Sequence, residues 1–198
     1  MVLHERLEQL ISANRGIVRT AEAVAAGISK PVFYRFIKDR NFEKVAHGVY
    51  AAPDAWIDPM YLLGLRSRQA VFSHETALFL HDLTDREPTL YSVTVKTGYN
   101  PSKLKADGIK VHTVKEELYE IGKSEAQTPF GNTVLAYDPE RTVCDIIRSR
   151  RGIEIQAFKD SLRHYAKRKN QNLRLLMQYA QAFHIERILG QYLEVLLQ

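Results

Sequence analysis

The sequence predicts an α+β fold in two domains, the first small and largely helical, the second larger and mixed. Three observations lead to this prediction. Short helical patterns and one hairpin pattern fill the first 53 residues, alternating strand-like runs lie between 90 and 136, and helical periodicity dominates from 139 to the end. A length of 198 residues suits one small domain and one of ordinary size. We place the domains at 1–53 and 54–198.

Composition and charge narrow the functional classes. Hydrophobic residues make up 45% and charged residues 26%, which is typical of a globular protein. The net charge of +5 favours an anionic partner, and residues 1–53 hold eight basic against five acidic residues, so they carry over half of the excess. The single cysteine excludes an internal disulfide framework and a cysteine zinc cluster.

The same features give an expected location. One cysteine and no disulfide are typical of a protein in a reducing compartment. The first residues lack the uncharged apolar run of a signal peptide, and no segment approaches the roughly 20 apolar residues of a membrane span. We therefore expect a cytoplasmic protein without a membrane partner.

The N-terminal pattern begins with two helices. The apolar spacing predicts a first helix over residues 4–13, and this helix ends at residues 14–16. Residues 17–19 form a short β-like link. Thr20 is a good N-cap for a very short second helix that ends at Gly27. A tight glycine turn after a short helix is typical of a helix-turn-helix.

A third helix and a hairpin complete the first domain. Ser29 can cap this helix, and Pro31 occupies an early position that tolerates a missing N–H. One side of the helix is apolar, with Val32, Phe33, Phe36 and Ile37. Residues 41–53 are typical of two short strands. The order of these elements is that of a winged helix-turn-helix domain, which binds DNA.

The second domain begins with a helix over 58–68 and a helix capped by Ser73. Strands are predicted at 90–95 and 109–114, with a further pair within 118–136. Asp138 then caps a helix that Pro139 opens, and three amphipathic helices form the C-terminal tail.

The predicted DNA contacts fall on both parts of the winged helix. Arg19 and Thr20 lie where the supporting helix would cross the DNA backbone, so a guanidinium and a free backbone N–H could bind phosphate. Arg35 is the candidate for reading a guanine base. The remaining predicted contacts position the protein on phosphates, from the third helix and from the wing: Lys30, Tyr34, Lys38, Lys44 and His47.

A second basic tract lies in the C-terminal helices. Its candidates for secondary contact with nucleic acid are Arg163, Lys167, Arg168 and Lys169. A solvated helix surface is the alternative, since basic runs commonly have that role.

The sequence offers no catalytic, metal or cofactor site that we would assign. His74 and His81 are seven residues apart, too far to bind one metal as histidines four apart do, so capping and packing are their expected roles. Cys144 lies among apolar residues and predicts a buried thiol. The sequence contains no glycine-rich phosphate loop. We expect a binding protein rather than an enzyme.

Three stretches carry a family resemblance. "TAEAVAAGISKPVFYRFIKDRNFEKVAHGVYAAP" resembles the winged helix domain of the AbiEi antitoxins of type IV toxin–antitoxin (abortive infection) systems. "SHETALFLHDLTDREP" and "YDPERTVCDIIR" resemble the C-terminal domain of that family. The similarity extends over most of the chain, and the joint order of the stretches carries it.

The resemblance implies a function in phage defence. Such an antitoxin represses its own operon by binding inverted repeats in the promoter, with two copies on the DNA. It counteracts a nucleotidyltransferase toxin without a stable complex, and its C-terminal domain is needed for that activity. Two alternatives stay open: a plain winged-helix transcription factor that senses a small molecule, and a nuclease-like enzyme brought to DNA by the winged helix.

Overall fold

A computed structural model describes residues 2–196 of the chain and the side chains of residues 4–194. It has mixed α and β structure with two sheets, in agreement with the predicted α+β class. The chain divides into two compact units between Arg66 and Ser67. No helix in the described range is both long and apolar enough to cross a membrane.

The first unit alternates helices with short strands. Its elements are α1 (Val2–Ala13), β1 (Ile17–Arg19), α2 (Thr20–Ala25), α3 (Lys30–Asp39), β2 (Glu43–Ala46), β3 (Val49–Ala51) and α4 (Pro59–Arg66). The three strands form an antiparallel sheet in the order β1-β3-β2. The helices pack around Leu7, Val18, Ile28, Phe33 and Phe36, all buried. The apolar spacing of α1 and α3 produces this core, since residues three and four apart share a helix face.

Helix α4 belongs to the first unit, whereas the sequence pattern predicts a domain boundary after residue 53. The segment before α4 packs closely against Gly16, the residue that precedes β1. A Cβ added to Gly16 would lie 2.6 Å from the Cβ of Ala55. Tyr61 in α4 is close enough to Arg19 and Glu22 for their charges to influence its pKa, which burial raises. These contacts explain why the division falls after Arg66.

The second unit is a mixed sheet with helices. Its elements are β4 (Val71–Phe72), α5 (His74–Leu80), β5 (Ser92–Lys96), α6 (Ser102–Ala106), β6 (Lys110–Val114), α7 (Glu116–Tyr119), β7 (Lys123–Gln127), β8 (Thr133–Tyr137), α8 (Pro139–Arg148), α9 (Ile155–Lys167), α10 (Leu173–Ala182) and α11 (Glu186–Leu196). The strand order is β6-β5-β4-β8-β7, with β5 parallel to β6 and β4 parallel to β8. The other neighbouring pairs are antiparallel.

Helix α8 is the centre of the second unit. Asp138 caps it by accepting a hydrogen bond from the Arg141 N–H at 2.7 Å, and Pro139 opens it, as predicted. Its residues from Glu140 to Ile147 are all buried, and Val143, Ile146 and Ile147 join the core that α9, α10 and α11 complete. A helix buried on every side must satisfy its polar side chains internally, and α8 carries both Arg141 and Asp145.

We expect Gly122→Ala to destabilise the second unit by roughly 2–4 kcal/mol, because it combines a strained backbone with overpacking. Gly122 has φ +74°, and an added Cβ would lie 2.5 Å from that of Arg141. Gly108 is a matched control, since its φ is +77° but no atom lies within 4 Å of an added Cβ. Gly108→Ala should cost about 1 kcal/mol in denaturant unfolding. Equal losses in the two variants would contradict the steric explanation.

Candidate nucleic-acid interface

Helix α3 is held against the first unit by one face. Phe33, Phe36 and Ile37 are buried as the sequence predicts. Ser29 is the N-cap residue, although its side chain makes no capping hydrogen bond. The turn before the helix contains Gly27 at φ +81°, a conformation that glycine adopts without strain. Val32 was expected on the buried side and is instead exposed at the helix surface.

The opposite face of α3 is open and basic. Lys30, Tyr34, Arg35 and Lys38 are all exposed. No ion pair joins the three cations of this face, Lys30, Arg35 and Lys38, to a residue that the structure describes. Arg40, at the end of the helix, differs because its guanidinium donates to Glu8 at 2.8 Å. The face therefore presents positive charge that the described residues do not neutralise.

The ring of Tyr34 packs against an aromatic residue of the hairpin. Its ring centroid lies 6.2 Å from that of Tyr50 in an edge-on arrangement, and Tyr50 lies 5.7 Å from the buried Phe33. Burial raises the pKa of Tyr50, and the neighbouring Tyr34 raises it further. These contacts link the open face of α3 to β3, so the helix and the hairpin present their surfaces together. No sequence pattern indicated this supporting role of Tyr50.

The hairpin places both predicted wing residues at the surface. Lys44 and His47 are exposed, and Lys44 lies opposite Tyr50 in the strand register. The register shifts between Lys44 and Ala46, which indicates a β-bulge in the first strand. Such a bulge twists the hairpin locally and redirects its side chains. Lys44 has no ion-pair partner among the described residues.

Arg19, rather than Thr20, is the N-cap residue of α2, and both predicted DNA contacts have partners or are buried. Helix α2 begins at Thr20 itself, with Arg19 as the N-cap residue. The Thr20 N–H donates to the Gly48 carbonyl at 2.9 Å, and its buried hydroxyl oxygen has no partner in the described chain. A phosphate contact with Thr20 would therefore have to displace the Gly48 carbonyl or expose the buried hydroxyl.

Arg19 is engaged by a neighbouring carboxylate. Its guanidinium forms a short contact with Glu22 and donates through Nε at 2.8 Å, which raises its pKa. Glu22 thus occupies Nε and Nη2, and a phosphate contact would use the remaining Nη1 beside a negative charge. The spacing of Glu22 three residues after Arg19, as in a capping box, is the sequence signal that would have revealed the pairing.

The second basic tract divides into bound and unbound side chains. Arg163 pairs with Asp160 at 3.4 Å, and Arg168 donates to the carbonyl of His81 and to Asn170. Arg168 is therefore a structural residue of the second unit. Lys167 and Lys169 are exposed and form no ion pair with a described residue.

The cysteine and the two spaced histidines of the second unit have structural roles. Cys144 is fully buried as predicted, and burial raises the pKa of its thiol to about 12. His81 Nε2 lies 2.6 Å from the Tyr137 carbonyl oxygen. His74 lies 3.0 Å from the hydroxyls of both Ser73 and Ser149. These contacts agree with the expected roles of His74 and His81 in capping and packing.

The comparisons with known proteins bear on the fold. No protein-family profile and no curated protein matches the sequence. The chain is similar to a solved structure described as the crystal structure of RV2827C protein from Mycobacterium tuberculosis, with a TM-score of 0.57 and 14% sequence identity. The similarity covers 91% of this chain and 72% of that chain. At this identity the likeness shows a shared fold alone.

Proposed function

We propose that residues 1–53 form a winged helix-turn-helix that binds double-stranded DNA, with α3 in the major groove and the β2–β3 hairpin as the wing. The observation that carries this proposal is the open face of α3. Three cations without described ion-pair partners share it with Tyr34, beside a hairpin that exposes Lys44 and His47. A helix of this kind, placed after a short helix and a glycine turn, is the usual reading element of such domains.

The contacts divide between sequence reading and positioning. Arg35 is the proposed base-reading residue, because a guanidinium can donate two hydrogen bonds to guanine. Lys30, Tyr34 and Lys38 would contact phosphates from the same helix, and Lys44 and His47 from the wing. Arg19 would join them through Nη1, since its Nε and Nη2 donate to Glu22.

We expect the double variant Arg35→Ala plus Lys38→Ala to bind the chain's own upstream DNA about 100-fold more weakly. A lost bidentate base contact, worth about 1–3 kcal/mol, weakens binding by roughly fivefold to 150-fold, and a lost phosphate contact adds to that loss. Fluorescence anisotropy with a labelled duplex measures the change. The control is Lys103→Ala plus Lys105→Ala, which removes the same charge from exposed positions of α6 and should bind like the wild type.

Salt dependence gives a second readout of the same interface. The slope of log affinity against log salt is about −0.9 for each phosphate neutralised. The wild type should show a steep slope, and loss of Lys38 should reduce it by about one. Wild-type affinity in the double variant, or no dependence on salt, would contradict the proposed face.

We further propose that the protein is the antitoxin and autorepressor of a type IV toxin–antitoxin operon active in phage defence. The sequence resemblance to AbiEi antitoxins supports this step, together with the proposed DNA-binding unit. The proposed operator is an inverted repeat that holds two copies, one on each half-site. The second unit would be needed to counteract a nucleotidyltransferase toxin without a stable complex.

Co-expression tests the antitoxin proposal separately from DNA binding. The full chain should restore growth to cells that express a nucleotidyltransferase encoded in the same operon, and residues 1–66 alone should not. Repression without rescue of growth would favour the plain transcription factor. Cleavage of DNA or RNA by the pure protein with magnesium or manganese would favour the nuclease.

A further inference from the structure

Val32 is an apolar side chain in the exposed surface of α3. It is 37% exposed, whereas the next residue, Phe33, is fully buried. A single exposed valine is common on protein surfaces and does not by itself indicate a contact. What distinguishes Val32 is its position, since it is the third residue of α3 and lies in the first turn of the helix. In helix-turn-helix domains the first residues of the second helix contact the edges of the bases.

The exposed surface of α3 has two rows of side chains. The first row contains Tyr34 and lies beside the hairpin, where the ring of Tyr34 contacts that of Tyr50. The second row contains Val32 and Arg35, which are three residues apart and therefore neighbours on the helix surface. This row ends at Asp39, four residues after Arg35. Val32 is thus a direct neighbour of the proposed base-reading residue.

The second row suits base edges better than phosphates. Val32 has no side-chain group that can donate a hydrogen bond to a phosphate oxygen. Asp39 is exposed, and its carboxylate would be repelled by the charge of a phosphate. The edge of a base carries no net charge, and the N4 amino group of cytosine can donate to a carboxylate. In a DNA complex this row would therefore lie over the bases, and the lysines of the first row would contact the backbone.

An aliphatic side chain matches one feature of the major groove, the C5-methyl group of thymine. The other features of the groove are hydrogen-bond donors and acceptors. A valine placed over them would displace water without replacing its hydrogen bonds, which is costly. Val32 is also β-branched and helical, so its side chain has few rotamers to lose when it forms a contact. A valine at this position should therefore favour thymine and disfavour the other bases.

We propose that Val32 selects a thymine in the DNA site by packing against its C5-methyl group, beside the guanine that Arg35 reads. This inference rests on the proposed DNA-binding function and adds an apolar contact to its polar ones. The contact with one methyl group should increase affinity about fourfold for each half-site. Two copies that bind together on an inverted repeat should gain about 15-fold.

DNA that contains uracil tests this contact, because uracil differs from thymine only by the absence of the C5-methyl group. The chain's own upstream DNA is amplified with either dTTP or dUTP, and each product competes with a labelled thymine duplex in fluorescence anisotropy. The wild type should prefer the thymine duplex about fourfold for each half-site. In Val32→Ala the preference should fall by the same factor, because the shorter side chain does not reach the methyl group. Alanine has the higher helix propensity, so α3 should remain folded in this variant.

Val24→Ala is the matched control for this measurement. Val24 is 45% exposed in α2, the supporting helix of the proposed domain, so this variant should keep the wild-type preference for thymine. The same preference in Val32→Ala as in the wild type, or no preference in the wild type, would overturn the role of Val32 and leave the DNA-binding proposal in place. Failure of the wild type to bind either duplex would contradict both proposals.

Discussion

Replacing Asp145 with asparagine should lower the free energy of unfolding of the second unit by roughly 3–5 kcal/mol, as expected when one member of a buried ion pair is removed. The carboxylate is 1% exposed and joins the guanidinium groups of Arg141 and Arg148. The asparagine would leave the fully buried guanidinium of Arg141 without its carboxylate partner, whereas Arg148 is 33% exposed and can be solvated. Denaturant unfolding, followed by circular dichroism, measures the loss.

A surface pair of the same type provides the control. Asp160 contacts Arg163 at 3.4 Å, but the two side chains are 37% and 58% exposed. Asp160→Asn should change the free energy of unfolding by less than about 1 kcal/mol, because water already solvates both charges. Similar losses for the two variants would show that the interior around Asp145 is better solvated than its burial indicates.

The fold was predictable where local signals agreed with tertiary packing. The Asp138-Pro139 start of α8 and the apolar periods of the last three helices each specify an element by themselves. Strand β4 was missed, because Val71–Phe72 is too short to show alternation. Helix α6, Ser102–Ala106, was missed for a similar reason, since one turn of helix resembles the turn signals around it.

The sequence predicted which side chains of α3 are exposed, but it could not predict which cations already have a partner. Helical spacing placed Tyr34, Arg35 and Lys38 opposite Phe33 and Phe36, and the structure exposes them. Sequence spacing cannot tell which cation is already paired when its partner is distant in the chain. Arg168, for example, binds the carbonyl of a residue 87 positions away. The contact of Phe183 with Arg141 and Arg148 could not be predicted for the same reason, since both arginines lie on α8 and Phe183 follows α10.

The same interior contains a pair of histidines that should make stability depend on pH. The rings of His74 and His112 stack with centroids 3.5 Å apart and planes 10° apart. Burial lowers the pKa of His74 to about 3, with Lys110, Arg141 and Arg148 adding to the shift and Glu75 opposing it. Burial and the neighbouring His74 lower the pKa of His112 to about 4, while Glu75 and Asp145 oppose the shift. Two stacked imidazoles cannot both gain a proton without strong repulsion.

The sign of the pH dependence follows from these directions. In the unfolded chain both histidines take up protons as the pH falls through about 6.5, whereas the folded protein resists protonation until about 3 to 4. The contribution of this pair to the free energy of unfolding should therefore be constant above about pH 7.5. At lower pH this contribution should decrease, and the decrease for the buried His74 should reach about 2 kcal/mol at pH 5. His112 is less buried, so solvent reduces its contribution.

Unfolding measurements at pH 7.5 and pH 5 test this pair. His112→Asn keeps a planar polar group but removes one titrating ring, so the loss between the two pH values should be smaller than in the wild type. His184→Asn is the control, because His184 is exposed in the same unit and asparagine tolerates its positive φ of 55°. That variant should retain the wild-type pH dependence. If His112→Asn also retains the wild-type pH dependence, the loss of stability at pH 5 arises from His74 or from other groups, and the contribution of His112 is refuted. A smaller loss in His112→Asn alone would show that the folded protein keeps this stacked pair neutral.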